Sequence, residues 1–275
     1  MSFDVRCHGP FPERLDAARI AAYATTTGDA APAVLAGDMV PAVFPVVLVF
    51  AAQNAANEDL PAAAWQQTYG GVHGEHDIVL HRALIPGESL DTWSAISSIR
   101  TVRAGTQVVV HFRQFDADGR IVVEQWWTEV LLGLHTLADF GSPPADHRFP
   151  ESVRANRIGS VTHHIDEQLA HRYAEVSGDW SVHHFDIEAA RASGFDFLFT
   201  HGLCIMAICA HRVLGTVGVD DPTRVARVAV RFASPTPLGA DLIVDAYGIS
   251  DNSVAFEATC HGVKTISHGR LELRS

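Results

Sequence analysis

Two stretches of the chain are almost uninterruptedly apolar: VPAVFPVVLVFAAQNAA, residues 40–56, and GLCIMAICAHRVLG, residues 202–215. A helix that is apolar on nearly every face must be buried on every side, so each is read as a central helix, the second stopped by Gly215. After each the period changes to that of strands. VHGEHDIVLHRAL, SLDTWSAISSIRTVRAG, TQVVVHFRQFDADG and RIVVEQWWTEVLLG follow the first, with the D-A-D-G of residues 116–119 as a hairpin turn. RVARVAVRFASP, ADLIVDAYGIS, SVAFEATCHG and KTISHGRLELRS follow the second. Ahead of the second central helix, Ile165, Leu169, Tyr173 and Val176 recur at helical spacing and end at Gly178. A helix followed by antiparallel strands gives an α+β unit whose sheet wraps the helix, here present twice and able to join edge to edge.

The two units also echo each other in detail. AAYATTTGDAAP (Ala21–Pro32) and AHRYAEVSGDWSV (Ala170–Val182) share Y-A-x-x-[ST]-G-D, with Tyr23 and Tyr173 150 positions apart. RALIPGESLDTW and FASPTPLGADLIVDAY each place a proline shortly before G-x-x-L, and Gly87 and Gly239 are 152 apart. Two anchors in the same order at nearly the same offset divide the chain into an N-terminal unit, residues 1–140, a Pro-rich linker, 141–153, and a C-terminal unit, 154–275.

Composition narrows the function. With 47% hydrophobic and 19% charged residues the chain reads as globular and able to bury a large core. A formal charge of -12 without a Lys/Arg cluster argues against nucleic acid or an anionic membrane as partner. Residues 41–52, the longest apolar run, fall short of the roughly 20 residues that span a bilayer. No export signal opens the chain, and Cys7, Cys204, Cys209 and Cys260, without a CxxC pair, read as reduced, buried thiols of a cytoplasmic protein.

The densest candidate chemistry is YAEVSGDWSVHHFD, Tyr173–Asp186, which by itself reads as an acid/base loop, a metal site or a polar turn. His163, His164, His183 and His201 lie near but form no H-x-x-x-H or Cys/His quartet, so no metal is expected. From Tyr173 to Gly202 the segment resembles the MaoC-like, R-specific enoyl-thioester hydratase and dehydratase family, whose pattern runs Y-A-x-x-S-G-D-x-N-P-x-H-x-D, then Gly-Phe, then H-G opening a helix. The resemblance puts the catalytic pair on Asp179 and His184, with His183 a bystander, and the closing H-G on His201 and Gly202. Ser177, Gly178, Ser181 and His201 then support the site. Ser181 and Val182 stand where the family has Asn and Pro. The layout is similar to double hot dog members, whose two units form an internal pseudo-dimer and whose N-terminal unit has lost the motif while shaping a cavity for a bulky acyl chain. Asp29 persists in the first unit with no histidine near it in sequence.

The resemblance implies reversible hydration of a trans-2-enoyl thioester of CoA or acyl-carrier protein to the (R)-3-hydroxyacyl thioester, with no dissociable cofactor. Such chemistry needs a water deprotonated at Cβ, a proton for Cα and a donor for the enolate-like oxygen. Gly202, at the start of a helix, carries an N–H without an intrahelical partner at the positive end of the dipole. Arg154, Arg157, Arg227 and Arg231 are candidates for a carrier's phosphate, Arg227 and Arg231 foremost; Trp126 and Trp127 read as strand packing, and Cys204 and Cys209 as inert buried thiols. A homodimer is compatible with this plan. Two other readings stay open: an acyl thioesterase on the same fold, and a non-catalytic acyl-binding or assembly subunit.

Overall fold

A computed structural model describes residues 5–274. Its dominant feature is an 11-stranded antiparallel sheet to which both units contribute. The N-terminal strands are β1 (His8–Arg14), β2 (Gly71–Leu80), β3 (Ser89–Val102), β4 (Gly105–Phe115), β5 (Ile121–Leu132) and the two-residue β6 (Phe140–Gly141). The C-terminal strands are β7 (Arg157–His164), β9 (Val225–Phe232), β11 (Asp241–Ser250), β12 (Ser253–Cys260) and β13 (Val263–Leu273); β8 (Phe199–Thr200) and β10 (Thr236–Pro237) pair separately. The order is β1-β3-β4-β5-β2-β9-β13-β12-β11-β7, with β6 on β3. The units join where β2 meets β9, Glu75 opposite Arg231 and Val79 opposite Arg227. This is the double hot dog arrangement. Each of the eight strand segments read from the sequence forms a strand.

The two strands at the ends of the sheet, β1 and β7, were not anticipated. β1 carries Pro10 and Pro12, and proline, lacking an N–H, is tolerated only where one edge needs no ladder bond. β7 is likewise an edge, and its exposed-to-intermediate alternation buries no residue fully.

On the inner face lie α1 (Ala17–Thr27), α3 (Phe50–Asn57), α5 (Leu169–Ser177) and α7 (Gly202–Thr216), with three short helices, α2 (Pro32–Leu35), α4 (Ala62–Gln67) and α6 (Ile187–Ala192), around them. α7 is the central helix that its apolar sequence requires: Cys204, Met206, Ala207, Ile208 and Cys209 are wholly buried. It runs one residue past Gly215 and is closed by Val217. Its N-terminal counterpart differs from the single helix expected over residues 40–56: Phe44–Leu48 form a 3-10 turn and α3 starts only at Phe50. Pro41 and Pro45 account for this, because a proline bars the α conformation before it and removes an N–H from the ladder. At the centre, Tyr23 of α1 and Tyr173 of α5 are both fully buried with ring centroids 6.1 Å apart. Cys204, Cys209 and Cys260 are buried as expected, but Cys7 is exposed. Among the described residues no helix is long and apolar enough to cross a membrane.

Candidate active site

The site forms where α5 ends. Gly178 closes the helix in the left-handed conformation, φ 85°, which a glycine adopts without penalty, and the chain reverses into the Asp179 loop. The reversal is held from within by Ser177, whose Oγ accepts from Asp179 N–H at 3.1 Å. It is also held from the other unit. Arg19 of α1 donates to the carbonyls of Val176 (2.8 Å) and Ser177 (3.3 Å), the unpaired acceptors at the end of α5. Nothing in the sequence near Asp179 signals Arg19, since the contact crosses the joint between units.

Asp179 Oδ1 accepts from both Ser181 N–H (3.1 Å) and Ser181 Oγ–H (2.6 Å), which leaves Oδ2 facing inward, 3.9 Å from His201 Nε2. Burial pushes the Asp179 carboxyl up, but His201 and the two Ser181 bonds outweigh it and hold it below the ordinary carboxylate value. Ser181, which stands where the family's pattern has Asn, thus holds Oδ1 through both its N–H and its hydroxyl.

His184 lies in a 3-10 turn, Val182–His184, and is buried. Its Nδ1 is 3.0 Å from Phe199 O, and because a carbonyl only accepts, Nδ1 carries the proton. Burial, then the neighbouring His201 and His183, depress its pKa to about 3, so the ring is neutral and Nε2 is a bare acceptor. His201 is built alike: its Nε2 donates to Asp179 O at 3.0 Å, and burial lowers it to about 4. The His184 and His201 rings pack closely but tilted, centroids 3.7 Å apart and planes 34° apart. His183 packs instead on Phe199, 5.5 Å between centroids.

Asp179, His184 and His201 each bring one donor atom within 4.8 Å of the others. All three are residues that the resemblance assigns to the site. The trio resembles a metal's ligand set, yet tetrahedral zinc ligands lie roughly 3.4 Å apart and converge on one point. Here His201 Nε2 is taken up by its bond to Asp179 O, which leaves only the buried Nδ1, without a hydrogen-bond partner among the described residues. A water fits such a group, since one water with partners at about 2.8 Å can bridge acceptors up to about 5 Å apart. Gly202 follows His201 directly and opens α7, its N–H lacking an intrahelical acceptor. A methyl group there would lie 3.1 Å from the Phe232 ring.

Of the arginines, Arg227 is not free: it forms a bidentate pair with Asp77 (2.9 and 2.6 Å) across the β2–β9 joint, with Glu272 3.6 Å away. Arg231 has its side chain half exposed, 4.0 Å from Glu75. Asp29 also departs from the sequence reading. Histidine is absent from its own segment, but His211 of α7 places Nδ1 3.2 Å from Asp29 Oδ2, both side chains buried.

The family model for the MaoC like domain matches residues 148–268. A 3-hydroxyacyl-thioester dehydratase X of Mycobacterium tuberculosis is 28% identical over 234 residues, 82% of this chain and 74% of that protein. Peroxisomal multifunctional enzyme type 2 of Drosophila melanogaster is 26% identical over 216 residues, 74% of this chain, and the chain spans about a third (34%) of that relative's length. The crystal structure of a MaoC-like dehydratase from Phytophthora Capsici superposes with a TM-score of 0.83 at 20% identity, covering 99% of this chain and 96% of the other.

Proposed function

Because the chain carries a MaoC-like domain over residues 148–268, we propose that it hydrates trans-2-enoyl thioesters of CoA or acyl-carrier protein reversibly to (R)-3-hydroxyacyl thioesters. The supporting observation is that Asp179, His184 and His201 bring polar atoms within 4.8 Å of one another, with His184 protonated at Nδ1 and so able to accept at Nε2. Residues 154–275 act as the catalytic unit, residues 1–140 as a degenerate unit that completes the cavity, and residues 141–153 as the linker.

In hydration the water oxygen bonds to Cβ while one of its protons passes to Asp179 and the Cα=Cβ electron pair moves onto the thioester oxygen. Gly202 N–H stabilises that oxyanion from the start of α7. The proton then goes from Asp179 to Cα as the carbonyl re-forms, so that one water is added and the carboxylate is regenerated. His184 orients the water through Nε2 and needs no change of charge. The thioester buries Asp179 further when it binds, and burial raises a carboxyl's proton affinity toward what a general base requires.

Loss of conjugated-thioester absorbance on adding the protein to crotonyl-CoA tests the reading, with a thiol reagent present to count free CoA. Hydration consumes the absorbance without releasing thiol. Absence of turnover, or turnover that persists undiminished in Asp179→Asn, overturns it; thiol release in step with the absorbance loss assigns a thioesterase instead.

A further inference from the structure

A line of rings leads away from Gly202 into the N-terminal unit. Phe232 covers the Gly202 α-carbon, His73 sits 4.7 Å from the Phe232 centroid, and His73 in turn stacks on Trp127 at 4.0 Å with the planes 4° apart. Phe50 meets Trp127 edge-on at 5.8 Å. Phe50, Trp127 and Phe232 are only partly buried at the margin of the core, and His73 is half-buried. They form a wall that crosses the joint from β9 through β2 to β5, about 10 Å at the usual strand spacing.

Behind this wall the N-terminal interior is closed by polar side chains. His76, Gln125, Gln114 and Thr92 are each fully buried. Gln125 Nε2 donates to Pro45 O (3.0 Å) and to Gln114 Oε1 (2.8 Å), so both its hydrogens are occupied and its Oε1 accepts from His76 Nε2–H at 3.0 Å. Gln114 Nε2 continues the chain to Thr92 Oγ1 at 3.2 Å. A long saturated tail threaded between this sheet and α3 would break bonds of a fully buried set and leave polar groups there unpaired. A flat group resting on the wall breaks none. The near-parallel His73–Trp127 pair is a rigid planar slab of the kind that stacks with another π-system. Burial holds His73 well below its ordinary pKa, so the slab is uncharged.

We propose that Phe232, His73 and Trp127 select the acyl group, and that the substrates are enoyl thioesters with a short, flat acyl part, an aryl or further conjugated group stacked on His73–Trp127. This rests on the hydration reading above, and it gives Trp127 a role in recognition beyond strand packing.

The test compares kcat/KM for trans-cinnamoyl-CoA and trans-2-octenoyl-CoA, with crotonyl-CoA on the unaltered protein as the measure of hydration itself. The expected result is a preference for the cinnamoyl substrate that falls about tenfold in Trp127→Leu, equivalent to about 1.4 kcal/mol, and survives in Trp127→Phe, which keeps a ring. Phe232→Leu shifts the ratio in the same direction and stands in should Trp127→Leu not fold. An octenoyl preference in the unaltered protein, or a ratio that neither leucine variant moves, overturns the proposal while leaving hydration intact. Should crotonyl-CoA itself not turn over, the hydration reading fails alone, and dissociation constants of 3-phenylpropionyl-CoA and octanoyl-CoA then decide the wall. Tighter binding of the aryl compound that weakens in Trp127→Leu supports it; equal or weaker binding overturns it.

Discussion

The loops that end at Asp29 and Asp179 start from one design and finish in opposite states. Each follows a helix with a fully buried tyrosine, Tyr23 or Tyr173; each turns on a left-handed glycine, φ 70° at Gly28 and 85° at Gly178; each aspartate accepts at Oδ1 from the N–H two residues on, Ala31 or Ser181. What differs is the space in front. A methyl group at Gly28 would lie 3.0 Å from both Arg212 and His163, whereas at Gly178 it would meet no described atom within 4 Å. Asp29 is closed off by His211 from the opposite unit, and Arg212 donates to Gly28 O at 3.2 Å. The central helices diverge in the same sense: α7 opens on Gly202 with a donor, while the first turn of its counterpart contains Pro45, which has none. The shared backbone loop therefore does not distinguish the two; the open ground beside Gly178 and the N–H of Gly202 do.

The largest contrast expected is between the two aspartates. Asp179→Asn removes the carboxylate that takes the water's proton, and kcat/KM for crotonyl-CoA should fall by about a thousandfold, within the span usual for loss of a general base. Asp29→Asn should leave it within about threefold. Steady-state rates on both variants check this, and comparable losses at the two positions would erase the distinction between the loops.

Next comes the space itself. Gly178→Ala incurs only the left-handed penalty, about 1 kcal/mol, while Gly28→Ala must also displace Arg212 and His163 and should cost about 2–3 kcal/mol. Urea unfolding midpoints measure both, and equal shifts would mean that Arg212 and His163 yield freely.

These contrasts mark how far sequence reasoning reached. Periodicity gave the two apolar cores and the eight long strands, because burial on one face or on all faces imprints directly on residue type. The edge strands escaped because an edge imposes weak alternation and tolerates prolines, as β1 shows. Around Asp179 the local partners were legible, since Ser177, Gly178, Ser181 and His184 lie within one loop. Arg19, His211, Arg212 and the Phe232–His73–Trp127 wall were not, because each acts across the joint between units, where no fixed spacing connects the partners.

The histidines that fill or line the two loops should make the protein acid-sensitive. His163 and His201 are lowered to about 4 and His184 to about 3, chiefly by burial. Since these folded values lie below the unfolded value of about 6.5, all are neutral in both states above pH 7 and contribute no slope there. Below 6.5 the unfolded chain binds protons that the folded one refuses, so stability falls as pH drops toward 4, by about 1 kcal/mol per pH unit for a fully buried ring. Unfolding midpoints at pH 7.5 and 5 should differ accordingly, and His201→Gln should flatten the decline. A protein equally stable at both would mean that the rings accept protons in place.

The subtlest difference between the loops is one hydroxyl, for Ser181 stands two residues after its aspartate where the other loop has Ala31. Ser181→Ala makes the second loop chemically like the first while leaving Ser181's backbone N–H bond to Oδ1 in place. A hydrogen bond to the charged carboxylate favours that form, so losing the 2.6 Å hydroxyl bond raises the pKa of Asp179 and loosens its rotamer. The expected outcome is a fall in kcat/KM of about three- to fivefold, with the acid limb of the pH–rate profile moved to higher pH. Ser181→Asn, which restores a side-chain donor, should recover most of the loss and return the limb. Were Ser181→Ala instead as damaging as Asp179→Asn, the hydroxyl would have to touch the reacting water itself, and the division of labour between Oδ1 and Oδ2 would have to be redrawn.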